Sequence, residues 1–326
     1  MTTMLAAKFR SPHAPLSIER VEIPSPKEGH RLLEVKACGV CGSDLTVLKG
    51  EFEIPVGITM GHEIAGITED GNRWAVYFAS GCGKCHMCRK GWTVGCSKGS
   101  RRLGINQDGG FARFVAVPAE NLIPIPSGVS FEAAAVATDA VATNLHALLD
   151  NGCLKAGETV AIFGIGGLGT AAIQIAKVMG ARVIAISRSE GRRALAKSLG
   201  ADEIIAGSDQ ANSTRGLNVD LALQLVPDPV VSQQAIASVI QGGRVILVGF
   251  TPRPFPVDSL DLILRQISVI GSRGMTRENI RTALDWIASS RLDIKPLLKY
   301  SGRLKEINEI LDDFRAGKIL RAVIHP

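Results

Sequence analysis

The amino-acid sequence predicts an α/β protein of two domains, one mostly β and one built on a doubly wound parallel sheet. Three observations carry that prediction: a change of pattern near residue 140, a strand-helix alternation from Thr159 onward, and a glycine-rich turn at the first strand-to-helix junction of that alternation. The length agrees, because 326 residues exceed the size at which one hydrophobic core usually keeps growing.

Before residue 140 the chain offers short β-rich pieces, RLLEVKA, HEIAGI, WAVYF and ARFVAVP, separated by Gly, Pro and Asp. That grammar belongs to an irregular, mostly β domain. From Thr159, TVAIFG reads as a buried strand and GLGTAAIQIAKVMGA as a helix. RVIAIS reads as the next strand, and SEGRRALAKSLGA as a helix closed by Gly200. Further apolar runs at EIIA, VDLALQL, GRVILVGF and QISVIGS, with DPVVSQQAIASVIQGG as a helical stretch, supply candidates for a six-stranded parallel sheet. After Gly271 the pattern gives a helix around NIRTALDWIASS, another at LKEINEILDDFRAG, and a closing strand RAVIHP.

In TVAIFGIGGLGTA, glycines at 164, 166 and 169 spell G-x-G-x-x-G between strand and helix, with Gly167 and Leu168 inside the turn. Gly164 permits the tight turn, Gly166 lets backbone approach a pyrophosphate, and Gly169 allows close helix-sheet packing. The helix N-terminus adds unpaired N–H groups and a positive dipole end. This implies a bound dinucleotide, with Gly249 of GRVILVGF as a further backbone contact. The second strand ends on Ser187, not on the Asp or Glu that would hold the ribose hydroxyls of NAD. Arg188, Ser189, Arg192 and Arg193 follow, so a 2′-phosphate would meet cations and hydroxyls. NADP(H) is therefore expected over NAD(H); the competing reading is that these arginines are solvated residues at a helix start.

The composition is that of a folded globular chain: 46% hydrophobic and 21% charged. The net charge of +6 favours anionic partners without identifying one, and no basic block with interleaved aromatics suggests nucleic acid. With neither a spanning apolar run nor a signal segment in view, no membrane partner is expected and the location is read as cytoplasmic. Seven cysteines in a chain this long do not make a disulfide scaffold; clustered ones in a reducing compartment hold metal more often.

The sequence contains two sets of candidate metal ligands. The stretch GCGKCHMCRKGWTVGC spells C-x2-C-x2-C-x7-C, so Cys82, Cys85, Cys88 and Cys96 can close a tetrahedral shell around zinc with no position left for water. A closed shell is structural. Iron–sulfur and redox readings compete, but the first lacks its usual spacing and the second needs only two cysteines. His86 lies inside the loop as a bystander, and Cys38 and Cys153 lack partners at metal spacing. The second set is dispersed: Cys41 in ACGVCGSDL, His62 and Glu63 in MGHEIAG, and Asp139 in VATDAVATNLHAL. One Cys, one His and one carboxylate suffice for an open zinc site, although each residue taken singly is more often a satisfied core or local group.

CGVCGSD, GHE, the four-cysteine lobe, DGGFARFVAVP, GIGGLG and GGRVILVGF stand in one order, and together they resemble the zinc-containing medium-chain alcohol dehydrogenase family over nearly the whole chain. The resemblance implies a GroES-like β-barrel catalytic domain from residues 1–139 and 273–326, with the zinc lobe at about 80–100, around a Rossmann domain at 140–272. The active site would lie in the cleft. It further implies Cys41 and His62 as catalytic zinc ligands, with Asp139 or Glu63 completing the shell, and Asp44 orienting His62. Ser43 would bond the substrate oxygen and start a proton relay, Thr143 would contact the nicotinamide, and Arg321 would reach the pyrophosphate. The implied reaction is hydride transfer between a zinc-bound alcohol or carbonyl and NAD(P), two zinc ions per chain, in a homo-oligomer, dimer or tetramer. The alternatives are a polyol, amino-alcohol or acyl-thioester-alcohol dehydrogenase of the same family, or a non-catalytic dinucleotide-binding relative.

Two departures from the family pattern stand out. Thr46 occupies the place where many members carry His, so the outer half of the relay must run through ribose hydroxyls, another side chain or water. The link IAGITEDGNRWAVYFASG from His62 to Cys82 is short, which implies a trimmed surface loop. Phe52, Trp92 and Phe111 are candidates for a pocket wall, with core or surface packing as the commoner role for each.

Overall fold

The computed structural model describes residues 2–326. The chain forms two compact units, one from residues up to Ala142 together with Met275–Pro326, the other from Thr143–Gly274.

The first unit is organised by one long strand, His30–Val40. Leu33, Val35 and Ala37 alternate inward, as a half-exposed strand requires, and from Ala37 to Val40 every residue is buried because both faces are covered. Its first half pairs antiparallel with Phe114–Pro118. Its second half pairs with Glu63–Ile67 on one side and Ala322–His325 on the other. Arg73–Val76, Leu122–Pro124 and Ser301–Arg303 complete a seven-stranded sheet to which both ends of the chain contribute. Leu33, Val35, Ile64, Phe111, Val115 and Ile324 lie in its core, so Phe111 has the packing role.

The register of the three central strands gathers residues from three distant parts of the chain. Ala322 faces Val40 and Glu63 faces Gly39, so Cys41, His62 and Arg321, each one residue beyond a paired position, come together at one end of the sheet. Helix Phe131–Val136, capped by the Ser130 side chain, packs across His30–Val40 and Glu63–Ile67 and continues into a π-helical turn, Ala137–Val141. That wider turn carries Asp139. π-turns inside helices recur at functional sites because they re-aim a side chain.

In the second unit β1 (Thr159–Phe163), α1 (Gly167–Val178), β2 (Arg182–Ser187), α2 (Glu190–Ser198), β3 (Glu203–Ala206), β4 (Val219–Gln224), α3 (Pro229–Ser238), β5 (Val239–Leu247), α4 (Ser259–Arg265) and β6 (Ser268–Gly271) succeed one another. The strands are all parallel in the order β3-β2-β1-β4-β5-β6. This is the doubly wound order whose switch point lies beside β1. One element differs from the sequence expectation: VIQGG, read as the end of a helix, already belongs to β5. The β-branched Val239 pairs with Val219, and a register shift intervenes before Leu221 meets Arg244. Among the described residues no helix is long and apolar enough to cross a membrane.

Candidate active site

At the convergent end of the first unit's sheet, one donor atom from each of Cys41, His62, Glu63 and Asp139 lies within 4.8 Å of the others. Cys41 is the N-cap of the short helix Gly42–Leu48, and its backbone N–H donates to Asp44 Oδ2 at 2.8 Å. The Cys41 thiol donates to Asp139 Oδ2 at 3.1 Å. His62 Nε2 is 3.3 Å from Ser43 Oγ, its Nδ1 is 3.6 Å from Asp44 Oδ1, and the Phe78 ring stands 5.7 Å from the imidazole. Asp44, Glu63 and His62 are buried, whereas Ser43 is exposed.

Gly39 makes the position of Glu63 possible: a Cβ there would collide with the Glu63 carboxylate. Burial by itself would push the His62 imidazolium down, but the hydrogen bonds and charges of Asp44 and Cys41 outweigh it and hold it well above the ordinary histidine range. A metal entering this set would expel that proton. The set fits zinc by its donor chemistry: one thiol, one imidazole and two carboxylates, with the buried Glu63 Oε2 lacking any hydrogen-bond partner.

Arg321 lies at the same end of the sheet. It is 3% exposed, and its Nη2 donates to Glu63 Oε1 and, at 3.0 Å, to Asp139 Oδ2. The C-terminal strand pairs beside Val40 and brings this guanidinium to the two carboxylates of the metal set.

The four cysteines of the lobe form a second group within 4.8 Å of one another. The Cys82 N–H points at Cys96 Sγ at 3.3 Å, and the Cys85 N–H at Cys82 Sγ at 3.4 Å. Gly81 leaves room that a Cβ would take from Cys88 Sγ. Backbone N–H groups of Cys88 and Ser97 pull the Cys85 thiol down to about 5, while burial and the Cys85 thiol push Cys88 up to about 12. Four clustered thiolates repel one another, and a dication supplies the charge that lets all four ionise. His86 is exposed and outside the group, and Trp92 folds against Gly95 within the lobe. Cys38 is buried and Cys153 exposed, each apart from both groups.

In the second unit the glycine turn sits between β1 and α1. Gly164 adopts φ +100 against Val226, Gly166 is the exposed N-cap of α1, and a Cβ at Gly169 would strike the Gly164 carbonyl. Gly167 and Leu168 open α1, and the Leu168 carbonyl accepts from Asn144 Nδ2 at 2.9 Å, next to the buried Thr143. Ser187 ends β2. Arg188 is exposed and pairs with Asp209 at 3.3 Å, Arg192 reaches the Ile165 carbonyl at 3.5 Å, and Arg193 donates to the carbonyls of Ser187 and Arg188. Arg193 thus braces the turn. The Gly249 N–H donates to Gln224 Oε1 at 2.9 Å, and a Cβ at Gly249 would crowd the Val226 backbone.

Sequence reasoning missed Gly39, Phe78 and the pairing of Arg321 with Asp139. The first had a signal in the close glycines of ACGVCGS; the other two depend on partners far along the chain.

Residues 27–127 match the family model described as an alcohol dehydrogenase GroES-like domain, and residues 167–289 match that of a zinc-binding dehydrogenase. An alcohol dehydrogenase of Geobacillus stearothermophilus is 32% identical, covering 98% of this chain and 99% of its own length. Among solved structures, an acetophenone reductase from Geotrichum candidum in complex with NAD is 32% identical with a TM-score of 0.92, over 100% of this chain and 98% of that one. A zinc-binding dehydrogenase from Sinorhizobium meliloti bound to NADP is 28% identical with a TM-score of 0.91, over 100% of both chains. Matches of both domain models, in order, and of a relative along its full length make the chain a member of the zinc-containing medium-chain alcohol dehydrogenase family.

Proposed function

We propose that Cys41, His62 and Asp139 hold the catalytic zinc of this alcohol dehydrogenase or carbonyl reductase, that Cys82, Cys85, Cys88 and Cys96 hold a second, structural zinc, and that NADP(H) is the preferred cofactor. The observation that carries the reading is the thiol, imidazole and carboxylate donor set at the convergent strand ends, His62 buried and Asp139 partly exposed. When bound, zinc supplies Lewis acidity at the alcohol or carbonyl oxygen and the nicotinamide takes or gives the hydride.

The chain's own residues position and deprotonate. Asp44 accepts the Cys41 N–H and faces His62 Nδ1, fixing the two ligands relative to each other. Ser43, whose hydroxyl lies beside His62 Nε2, is the group to accept a hydrogen bond from the substrate hydroxyl and pass the proton outward. Thr46 cannot serve as a basic relay partner, and its hydroxyl donates to the Gly42 carbonyl. Ser43 is exposed, which leaves water or the cofactor ribose hydroxyls to take its proton.

At the cofactor turn, Gly164, Gly166, Gly167, Leu168 and Gly169 offer the pyrophosphate a close backbone and the start of α1. Thr143 and Gly249 flank it as further cofactor contacts. Ser187 leaves room for a 2′-phosphate, with Arg188 and Arg192 as its cations. The relatives include one in complex with NAD and one bound to NADP, so the preference rests on these residues. The thiol state of all seven cysteines suits a reducing, cytoplasmic compartment.

The test is metal analysis with steady-state kinetics on both cofactors. Wild type is expected to carry two zinc ions per chain and to use NADP(H) with the higher kcat/KM. Cys41→Ala and His62→Ala are expected to carry one zinc and to lose turnover with the circular dichroism spectrum unchanged. Full activity in either variant overturns the catalytic set, and a clear NAD(H) preference overturns the cofactor assignment.

A further inference from the structure

We propose that Gln224 is a positioning residue of the cofactor crevice: its buried carboxamide holds Val226 between Gly164 and Gly249 and so sets how tightly the dinucleotide binds. The proposal rests on the assignment of the glycine turn to that cofactor. Gln224 is the last residue of β4, with Phe163 of β1 and Leu247 of β5 paired on either side, so it stands at the carboxyl ends of the three central strands, beside the switch point. It is fully buried, where an uncommitted amide would be costly, and both amide hydrogens and the amide oxygen are engaged. Nε2 donates to the Val226 carbonyl and, at 3.2 Å, to Ser232 Oγ, while Oε1 accepts the Gly249 N–H at 2.9 Å.

These bonds call for an amide. The Val226 carbonyl can only accept and the Gly249 N–H can only donate, so the group between them must do both at once, which an amide does and a carboxylate cannot. The Ser232 hydroxyl is turned to the Asp228 carbonyl at 3.2 Å and takes the second amide hydrogen. The segment so clamped is the one on which both cofactor glycines close. A Cβ at Gly164 would come within 2.4 Å of Val226 Cγ2, and one at Gly249 within 2.6 Å of the Val226 carbonyl carbon. Val226 thus fills the space that both missing side chains leave, and a small displacement of it moves the glycine turn or narrows the crevice. The Gly249 N–H, shared between the side chain and the backbone carbonyl of Gln224, is already satisfied, so Gly249 serves the cofactor by lacking a side chain and not by donating.

Fluorescence titration of the full-length, zinc-loaded enzyme with NADPH, and then with NADH, reads the cofactor Kd, and steady-state kinetics separate KM from kcat. Gln224→Met keeps the length and removes every hydrogen bond of the amide. Its Kd and cofactor KM are expected to rise about tenfold, with kcat at saturating cofactor within about twofold of wild type. Gln224→Glu keeps the acceptor for Gly249 and, while protonated, a donor for Val226; burial holds such a carboxyl protonated beyond the ordinary range. Its Kd relative to wild type is expected to climb from near unity at about pH 5.5 toward the Gln224→Met value at about pH 8.5. The ratio cancels the charged groups on the same turn, Asp228 and Arg253, which pair at 3.6 Å. Unchanged Kd and KM in Gln224→Met overturn the proposal, since a loss in Gln224→Glu alone is charge repulsion of the phosphates. A fall in kcat or in folded protein with Kd unchanged also overturns it, because that is the mark of a purely structural amide. Should Gln224→Met not fold, a Gln224→Glu variant whose Kd ratio stays constant with pH suffices to overturn it. A wild-type chain that binds neither NADPH nor NADH would overturn the cofactor assignment itself, a result separate from these.

Discussion

Cys41, His62, Glu63 and Asp139 illustrate how differently residues of one site are written in a sequence. Cys41 and His62 stand in short local motifs, with Ser43, Asp44 and Glu63 as neighbours, so the resemblance that names their roles rests on consecutive residues. Asp139 comes 76 residues after Glu63, on a π-helical turn whose register no simple periodicity marks, so only the family resemblance points to it. Gly39 is a residue whose importance lies in what it lacks. Gly39→Ala would drive a methyl group into the Glu63 carboxylate in a strand that is fully buried there. We expect a stability loss of about 1–3 kcal/mol from overpacking, with turnover lost and the lobe's zinc retained. Full activity and an unshifted melting temperature would show that Glu63 does not need the notch. Arg321 is visible in the sequence as a residue near the end of the chain but not as a partner of Glu63, 258 positions away, because only the pairing of the last strand with Val40 joins them.

Elements with local causes are the most legible. The glycine turn between β1 and α1 and the four-cysteine lobe are each written in fewer than twenty consecutive residues, and apart from Gly164 against Val226 their close approaches lie within the same segment. The start of β5 reads as helix in the sequence because VIQGG follows a helix directly, and only its pairing with β4 makes it a strand. The lobe supports a prediction with a pH sign. In the metal-free lobe the Cys88 thiol titrates at about 12, so at neutral pH zinc binding must displace protons. Zinc release from this site should therefore accelerate as pH falls, proton by proton, and slow as pH rises. A chelator titration followed by a thiol reagent specific for Cys82, Cys85, Cys88 and Cys96 would measure it, in a Cys153→Ser background to remove the exposed thiol. We expect loosening of residues 80–100 before any loss of the two units' secondary structure. A release rate independent of pH, or global unfolding concurrent with release, would contradict a local structural zinc.

At the scale of the whole molecule, the second unit leaves an apolar surface that a single chain does not use. Leu260, Ile263 and Leu264 lie on one face of α4 and are 61%, 70% and 65% exposed, next to β6, which carries the half-exposed Val269. β6 closes the sheet, so its outer edge has backbone groups with no strand beside them. The sequence could not announce this, because SLDLILR has the pattern of any helix that buries one face, and pattern does not distinguish a core from an interface. An exposed strand edge is complementary to itself: a second copy turned by a two-fold axis can extend the sheet antiparallel while the α4 faces meet. If the chain forms the homo-oligomer that the family resemblance implies, we expect its contact at this edge. A stable contact of this kind buries about 800 Å² per partner, more than the strand alone offers, so α4 must take part. Ile263→Lys with Leu264→Glu, which leaves the metal sets and the glycine turn untouched, is expected to convert the assembly to a smaller species in multi-angle light scattering at micromolar concentration. Each chain should keep two zinc ions. A wild-type chain that is monomeric, or a double variant that keeps its assembly state, would mean that something other than a second copy covers this face.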